Sequence, residues 1–408
     1  MNMIRSDEIK WVLNKSFLPK YNEQELSYFE EKTIGKVLNF QRTHPKYTKT
    51  PLIKLEHLSE YLDVSEIKVK DESYRFGLNA FKVMGGIYAI GKYLAEKLGK
   101  DITNLSFKEL QSPEVKEQLG EITFISATDG NHGRGVAWAA RELGQNAVIY
   151  MPKGSTKARL EAIRNEGAFS EITELNYDET VEMCADLAEK KGWVMVQDTA
   201  WEGYEEIPLW IMQGYAALAK EIIEEVEEKK EEPPTHIFLQ AGVGSFAAGI
   251  VSYFMQHYQN NPPKIIVVEP NLADCYYRSF SNENGEMVSV KGQMNSIMAG
   301  LCCGVPNNRA FRLLSQYGFA SFSCPDNIAA LGMRVLGNPI GNDKKIISGE
   351  SGAVPLGLLY HLRKFASQEI SDAIKLDRNS RILVISTEGD TDLESYLDIV
   401  WKGLHPND

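Results

Sequence analysis

Short apolar runs alternate with longer amphipathic stretches along most of the chain. The runs contain little polar alternation, which is typical of parallel strands buried on both faces. The stretches between them place apolar residues at helical spacing, and Gly144 and Gly167 stand where two of these helices are expected to end. This alternation predicts an α/β fold built from βα units. The predicted strands are residues 124–128, 146–152, 171–175, 193–199, 236–242, 264–270 and 381–387.

The length of the chain predicts more than one domain. At roughly 150 residues per domain, 408 residues correspond to two or three domains. Residues 96–120 are polar and rich in charge, and we interpret them as a helical connection between domains. We therefore predict a large domain formed by residues 1–95 and 210–408, and a smaller α/β domain formed by residues 96–209.

One segment, residues 221–234, carries a dense block of charge. It contains seven Glu and two Lys, so it supplies −5 of the formal net charge of −12. Pro233 and Pro234 close the segment. Charge runs of this kind usually lie in solvent, and we interpret the segment as the solvated end of a helix.

The composition excludes several classes of function. With 43% hydrophobic residues the chain can form a sizeable core, and its 56 acidic and 44 basic side chains make it unsuited to a phosphate backbone. We therefore expect no nucleic-acid partner. No apolar run approaches the roughly 20 residues that span a bilayer, and the first residues do not resemble a secretory signal. We expect a cytoplasmic protein with no membrane partner.

The cysteines and histidines favour neither a disulfide framework nor a metal site. Five cysteines form no CxxC pair, and the seven histidines form no HExxH pair. Reduced thiols fit this pattern, although a bond from Cys275 to Cys302 or Cys303 stays open. We expect no bound metal.

Lys82 stands in an apolar context between Phe81 and Val83, shortly before two glycines. A lysine at the start of a helix often extends to the solvent. A desolvated lysine instead has a lowered pKa, and its free amine forms an imine with an aldehyde cofactor. The residues alone leave both interpretations open.

Two glycine-rich turns each connect a predicted strand to a predicted helix. Residues 126–135 (SATDGNHGRG) and 240–249 (QAGVGSFAAG) place backbone N–H groups at a helix N-terminus, where a carboxylate or phosphate binds. The second turn also partly matches a dinucleotide fingerprint, in which Glu269 would be the ribose-binding acid.

Four positions fall at the carboxyl ends of predicted strands: Asp129, Asp198, Gly242 and Thr387. Ligands of parallel α/β sheets bind at these ends. We therefore expect the four positions to meet at one site.

The chain resembles fold-type II pyridoxal-phosphate enzymes, the superfamily of tryptophan synthase β and threonine dehydratase, from about residue 45 to 395. The resemblance rests on Lys82 after Phe81, on DGNHG with the following GVAWAARELG helix, on the ARLEAIRNEGA helix and on the turn near Gly242. More narrowly, RFGLNAFK, SATDGNHG, QDTAWEGYEEIP and STEGDTD resemble the diaminopropionate ammonia-lyase family. The resemblance implies two parallel-sheet-based α/β domains with the active site between them, and a homodimer. It also implies an amino-acid substrate: D- or L-2,3-diaminopropionate, which is converted to pyruvate and two ammonia molecules.

The resemblance also implies roles for individual residues. Lys82 would be the Schiff-base lysine of the pyridoxal phosphate. The other expected cofactor-binding residues are Asn131 at the phenolic oxygen, Gly242, Val243, Gly244, Ser245 and Phe246 at the phosphate, and Thr387 at the pyridine nitrogen. The expected substrate-binding residues are Thr128, Asp129, Gly130, Asn131, His132 and Asp198.

The residue types also predict a separate role in the reaction for each of three side chains. Lys82 would remove the Cα proton of the L-isomer. Asp129 stands where related dehydratases usually have Ser, and it would act as the base for the D-isomer. Asp198 would hold the β-ammonium group of the substrate.

Three other classes of protein are alternatives to this function. A serine or threonine dehydratase of the same fold is the nearest. A NAD-dependent dehydrogenase would use the turn at Gly242 without needing Lys82, and in a non-enzymatic binding protein a buried Lys82 would have no purpose.

Overall fold

The computed structural model describes residues 9–18, 23–128 and 130–406, and Asp129 therefore lies outside the described residues. The strands are β1 (Lys10–Leu13), β2 (Leu52–Lys54), β3 (Glu66–Asp71), β4 (Thr123–Ala127), β5 (Asn146–Met151), β6 (Phe169–Ile172), β7 (Val194–Met195), β8 (His236–Gln240), β9 (Lys264–Pro270), β10 (Gly318–Cys324) and β11 (Arg381–Ser386).

Helices connect most of these strands. They are α1 (Glu23–Leu26), α2 (Glu31–Arg42), α3 (Glu56–Tyr61), α4 (Val83–Lys97), α5 (Phe107–Leu110), α6 (Pro113–Leu119), α7 (Asn131–Glu142), α8 (Lys157–Arg164), α9 (Tyr177–Lys191), α10 (Glu206–Glu228), α11 (Ser245–His257), α12 (Cys275–Ser281), α13 (Asn308–Tyr317), α14 (Asp326–Gly337), α15 (Glu350–Lys364), α16 (Gln368–Ile374) and α17 (Leu393–Val400). Short 3-10 turns cover Ser27–Phe29, Glu72–Gly77, Ile102–Asn104 and Ala299–Leu301.

The strands form two sheets. The larger has seven strands in the order β1-β10-β9-β8-β11-β3-β2, and the smaller has four in the order β6-β5-β4-β7. The small sheet is parallel throughout, whereas β1 and β2 pair antiparallel at the two edges of the large sheet. The predicted α/β class with parallel sheets is confirmed.

Each sheet comes from the part of the chain that was assigned to its own domain. All four strands of the small sheet lie within residues 96–209, and all seven strands of the large sheet lie outside that range. The exact domain limits stay a prediction.

The acidic segment is not entirely solvated, and at Glu221 our interpretation was wrong. Helix α10 ends at Glu228, and the side chains beyond it are mostly accessible, but Glu221 has no exposed surface. Its carboxylate bonds to Arg75 at 2.8 and 2.9 Å and to Lys70 at 2.9 Å. Arg75 in turn pairs with Glu72 at 2.8 Å, so two buried anions neutralise two buried cations. We call Lys70, Glu72, Arg75 and Glu221 the buried ion network.

None of the helices in the described part of the chain combines the length and apolarity that a membrane span requires. In the same residues, no group of three or more His, Cys, Asp or Glu side chains is arranged to hold a metal ion. The five cysteines all belong to the described residues, and no disulfide joins them there.

Candidate active site

A cavity opens at the carboxyl ends of β4 in the small sheet and of β8 and β11 in the large sheet. It encloses about 690 Å³ of empty space, including its opening to solvent. The sequence-predicted residues along its wall are Lys82, Thr128, Asn131, His132, Asp198, Gly242, Val243, Gly244, Ser245, Phe246 and Thr387. Gly130 is not part of the wall, but it immediately precedes the first turn of α7.

Lys82 precedes the first turn of α4 and points its amine into the cavity. Its Nζ lies 3.0 Å from Oδ2 of Asp198, whose side chain is 5% exposed. Burial would raise the pKa of Asp198, but the Lys82 ammonium and His132 outweigh it and lower this pKa to about 2. The cavity therefore holds a buried carboxylate that stays ionised beside the amine.

Asp198 is fixed through its backbone. Its carbonyl oxygen accepts hydrogen bonds from the Ser245 hydroxyl and from Nδ2 of Asn307, the latter at 3.3 Å. The buried Asn307 also donates to the Ser245 oxygen at 3.1 Å. The loop after β7 is therefore attached to the start of α11.

The turn before α11 brings backbone N–H groups to the cavity. The first N–H groups of a helix have no carbonyl partner within the helix, and they carry the positive end of its dipole. Gly244 has a φ of +92°, and a Cβ atom there would stand 1.9 Å from the Tyr276 hydroxyl oxygen. That hydroxyl donates to the carbonyl of Val243 at 2.9 Å. Only glycine fits this turn, which can cradle one phosphate group.

Glu269 does not belong to a dinucleotide site. Its carboxylate is fully buried behind the turn, and it accepts hydrogen bonds from the backbone N–H groups of Tyr276 at 2.8 Å and Tyr277 at 2.7 Å. Both oxygens are thus engaged by the N-terminus of α12. A ribose hydroxyl has no access to them, which removes the acid that the dehydrogenase alternative requires.

Thr387 follows β11, and its hydroxyl oxygen accepts a hydrogen bond from Nε2 of Gln240 at 2.8 Å. The same Nε2 donates to the carbonyl of Ile385 at 3.0 Å, which fixes the orientation of the Gln240 amide. The Thr387 hydroxyl oxygen therefore accepts from Gln240, and the O–H of Thr387 can donate a hydrogen bond to a group bound in the cavity. Sequence reasoning missed Gln240, although it is a polar residue at the end of an apolar strand.

Asn131 and His132 occupy the first turn of α7. Nδ2 of Asn131 donates to Oε2 of Glu388 at 2.5 Å. Nε2 of His132 lies 2.9 Å from the carbonyl of Val196, so this nitrogen carries a proton, and Nδ1 lies 3.9 Å from Asp198. Glu388 also lines the cavity and was missed, although it stands inside the STEGDTD motif directly after Thr387.

The cavity fits a phosphorylated pyridine aldehyde. Lys82 offers an amine, the turn at 242–246 offers a glycine-lined phosphate cradle, and Thr387 and Asn131 offer donors for a ring between them.

Comparisons with known proteins agree with this geometry. The pyridoxal-phosphate dependent enzyme family matches residues 44–388. The chain is 52% identical over 369 residues to the diaminopropionate ammonia-lyase of Salmonella typhimurium, covering 90% of this chain and 91% of the relative. It is 50% identical over 390 residues to the diaminopropionate ammonia-lyase of Escherichia coli, covering 94% and 95%.

Solved structures show the same architecture. The crystal structure of the Escherichia coli diaminopropionate ammonia-lyase in complex with D-serine superposes with a TM-score of 0.91 at 46% identity, covering 98% of both chains. A threonine deaminase from Solanum lycopersicum, at 21% identity and a TM-score of 0.70, shares the fold. These matches confirm the expected fold type and the expected pyridoxal-phosphate cofactor. The chain belongs to the pyridoxal-phosphate-dependent enzymes and, among them, to the diaminopropionate ammonia-lyases.

Proposed function

We propose that this protein eliminates ammonia from both isomers of 2,3-diaminopropionate, releasing pyruvate and two ammonia molecules. The observation that carries the proposal is the buried, ionised Asp198 beside the amine of Lys82. A substrate with a second amino group gives this carboxylate a cationic partner, whereas a hydroxyl substrate does not.

The residues of the cavity would supply the contacts for the cofactor. Lys82 would hold its aldehyde carbon, residues 242–246 its phosphate, Asn131 its phenolic oxygen and Thr387 its pyridine nitrogen. When bound, pyridoxal phosphate supplies an electron sink for negative charge at the substrate Cα. A neutral Thr387 that donates a hydrogen bond would leave the pyridine nitrogen unprotonated, which would moderate that sink.

Two residues would carry out the proton transfers, one for each isomer of the substrate. Lys82, once its amine is neutral, takes the Cα proton on its own face of the substrate. Asp129 is proposed as the base for the D-isomer, on its residue type and its place in the sequence alone. Thr128, Gly130 and His132 would contribute to the turn that binds the substrate carboxylate.

Asp198 would bind the β-ammonium that leaves. Its oxygen already bonds to a cationic amine at 3.0 Å, so a substrate ammonium would take over an existing type of contact. Because the carboxylate is buried and ionised, this contact is stronger than one at the surface. It would hold the leaving group while Lys82 acts at Cα.

The test compares substrates. Pyruvate release from D- and L-diaminopropionate, serine and threonine is measured as kcat/KM on the purified protein, and borohydride reduction followed by peptide mapping locates the cofactor on the chain. We expect diaminopropionate to be preferred and Lys82 to be labelled. Equal or better turnover of serine would favour the dehydratase alternative.

We also propose that the protein acts in the cytoplasm as a homodimer. Thiols without a disulfide in the described chain fit a reducing compartment. Tyr61, Tyr360 and Phe365 form an accessible aromatic cluster with ring centroids 6.2 and 6.0 Å apart, and a second copy would cover such a cluster. Light scattering separates the 45.9 kDa monomer from the dimer.

A further inference from the structure

Glu388 is a buried acid on the wall of the cavity, with 5% of its surface exposed. Burying a carboxylate is costly unless hydrogen bonds compensate for the lost water. Its hydrogen bonds include two to described residues: Oε2 accepts from Nδ2 of Asn131 at 2.5 Å, and Oε1 accepts from the backbone N–H of Ser351 at 3.2 Å. The carboxylate is thereby bonded to Ser351 through one oxygen and to Asn131 through the other.

The bond between Glu388 and Asn131 fixes the orientation of an amide. If the oxygen and nitrogen of the Asn131 amide were exchanged, two oxygen atoms would meet at 2.5 Å, and an ionised Glu388 has no proton to place between them. The carboxylate therefore holds Nδ2 toward itself. The second hydrogen of Nδ2 then remains as a donor for a cofactor oxygen.

This bond also connects an element that follows the small sheet to an element that follows the large sheet. Asn131 begins α7, which follows the small sheet, and Glu388 follows β11 of the large sheet. Ser351 lies in the first turn of α15, so the large-sheet side holds the carboxylate from two elements. The orientation of a residue on one side of the cavity is thus set from the other side.

We propose that Glu388 is a positioning residue: it fixes the Asn131 amide so that Asn131 donates to the phenolic oxygen of pyridoxal phosphate. This inference rests on the proposed contact between Asn131 and the cofactor. Glu388 itself needs no contact with the reacting atoms.

The test is a double-mutant cycle read out by cofactor binding. The single variants Glu388→Gln and Asn131→Ala and the double variant are stripped of cofactor, and each apoprotein is titrated with pyridoxal phosphate to obtain its Kd and absorption spectrum. A charge-assisted bond is about twice as strong as a neutral one, so Glu388→Gln should raise the Kd by about tenfold and shift the absorption maximum. In the double variant, Glu388→Gln should add nothing to the effect of Asn131→Ala.

Three results would overturn the proposal. Multiplying effects in the double variant would show that Glu388 acts independently of Asn131. An unchanged spectrum with a lowered Tm would assign Glu388 a structural role only. An unchanged Kd in Asn131→Ala would remove the Asn131 contact as well, whereas turnover of diaminopropionate, measured separately, would still decide the proposed function.

Two further variants serve as a control and as a replacement for Glu388→Gln. Glu394→Gln removes an exposed carboxylate six residues further along, and its Kd should equal that of the parent protein. Glu388→Asp retains the charge but shortens the side chain by one methylene group. It should raise the Kd like Glu388→Gln, and it replaces that variant if the glutamine protein does not fold.

Discussion

At the scale of single residues, Asp198 makes one contact that the structure shows and a second one that we propose. It pairs with Lys82 at 3.0 Å, and in our proposal it also recognises the second amine of the substrate. Aspartate-to-asparagine substitution keeps the shape and removes the charge, so it separates recognition from packing.

We predict that Asp198→Asn lowers kcat/KM for diaminopropionate by about 10–100-fold, because a charge-assisted bond contributes roughly 1.5–3 kcal/mol. The value for serine should fall less, since serine has no second amine. Steady-state assays on both substrates measure the ratio, and Asp186→Asn, at an exposed position on α9, is the matched control. An equal loss on both substrates would contradict the recognition role.

Asp129 is predicted to serve one isomer. Asp129→Asn should lower turnover of D-diaminopropionate by several tens-fold, or about 2 kcal/mol, while L-isomer turnover falls less. Parallel assays of the two isomers measure the difference. Similar losses for both would exclude a base that acts on a single face.

Gly244 tests the phosphate cradle. Gly244→Ala should abolish tight binding of pyridoxal phosphate, because its Cβ would stand 1.9 Å from the Tyr276 oxygen at a φ of +92°. Gly154→Ala is a matched control: its φ is +93°, and a Cβ there meets no atom within 4 Å. It should lose only about 1 kcal/mol of stability and keep its affinity, as measured by apoprotein titration. Equal affinities in the two variants would exclude this turn as the cradle.

At the scale of elements, the seven predicted strands all exist, because buried parallel strands are apolar and leave a clear signal. Four strands, β1, β2, β3 and β10, were missed. Of these, β3 and β10 contain polar side chains that are satisfied by distant partners. Lys68 in β3 pairs with Glu231 at 2.7 Å, and Ser323 in β10 donates to Asp274 at 2.8 Å. Such partners lie far apart in the sequence, so local patterns do not reveal them.

The same limit explains the site. Positions at strand ends could be predicted, since topology brings these ends together. Gln240 and Glu388 also lie at or just after strand ends, but the sequence did not single them out, because their importance comes from contacts with Thr387 and Asn131. Glu221 was misinterpreted for a similar reason: it begins a segment that is mostly charged in sequence, whereas its own partners, Arg75 and Lys70, lie far away along the chain.

The buried ion network gives a prediction for α10. Burial disfavours the charged form of Glu221, but Arg75 and Lys70 outweigh this and hold the pKa of its carboxyl below the ordinary range. Glu221→Gln leaves two buried cations facing one anion and should cost about 3–5 kcal/mol of unfolding free energy. The control Glu228→Gln, on the exposed end of the same helix, should cost less than about 1 kcal/mol. Urea unfolding measures both, and equal costs would contradict the account.

At the scale of the whole molecule, the contribution of the buried His236 to the free energy of unfolding should fall on acidification. Burial lowers the pKa of His236 to about 4, although its bond to the carbonyl of Ile374 opposes this. The unfolded chain binds this proton near pH 6.5 and the folded chain does not, so the stabilisation present above pH 6.5 is lost as the pH falls toward 4.

We predict that this histidine by itself lowers the free energy of unfolding by about 2 kcal/mol between pH 7 and pH 5. His236→Gln should reduce the pH dependence by that amount, and the exposed His257→Gln should not. Urea unfolding at the two pH values measures the difference. A parallel pH dependence in the parent protein and His236→Gln would contradict the assignment.

The position of β11 has a consequence for how the protein is made. This strand lies between β8 and β3, in the interior of the large sheet, yet among the described residues it is the last strand in chain order. Until residues 381–386 emerge, β3 and β8 have no common neighbour, and the segment carrying Thr387 and Glu388 is absent from the cavity. A nascent chain therefore cannot complete this cavity before residues 381–388 have emerged, even though every other strand of the large sheet precedes them.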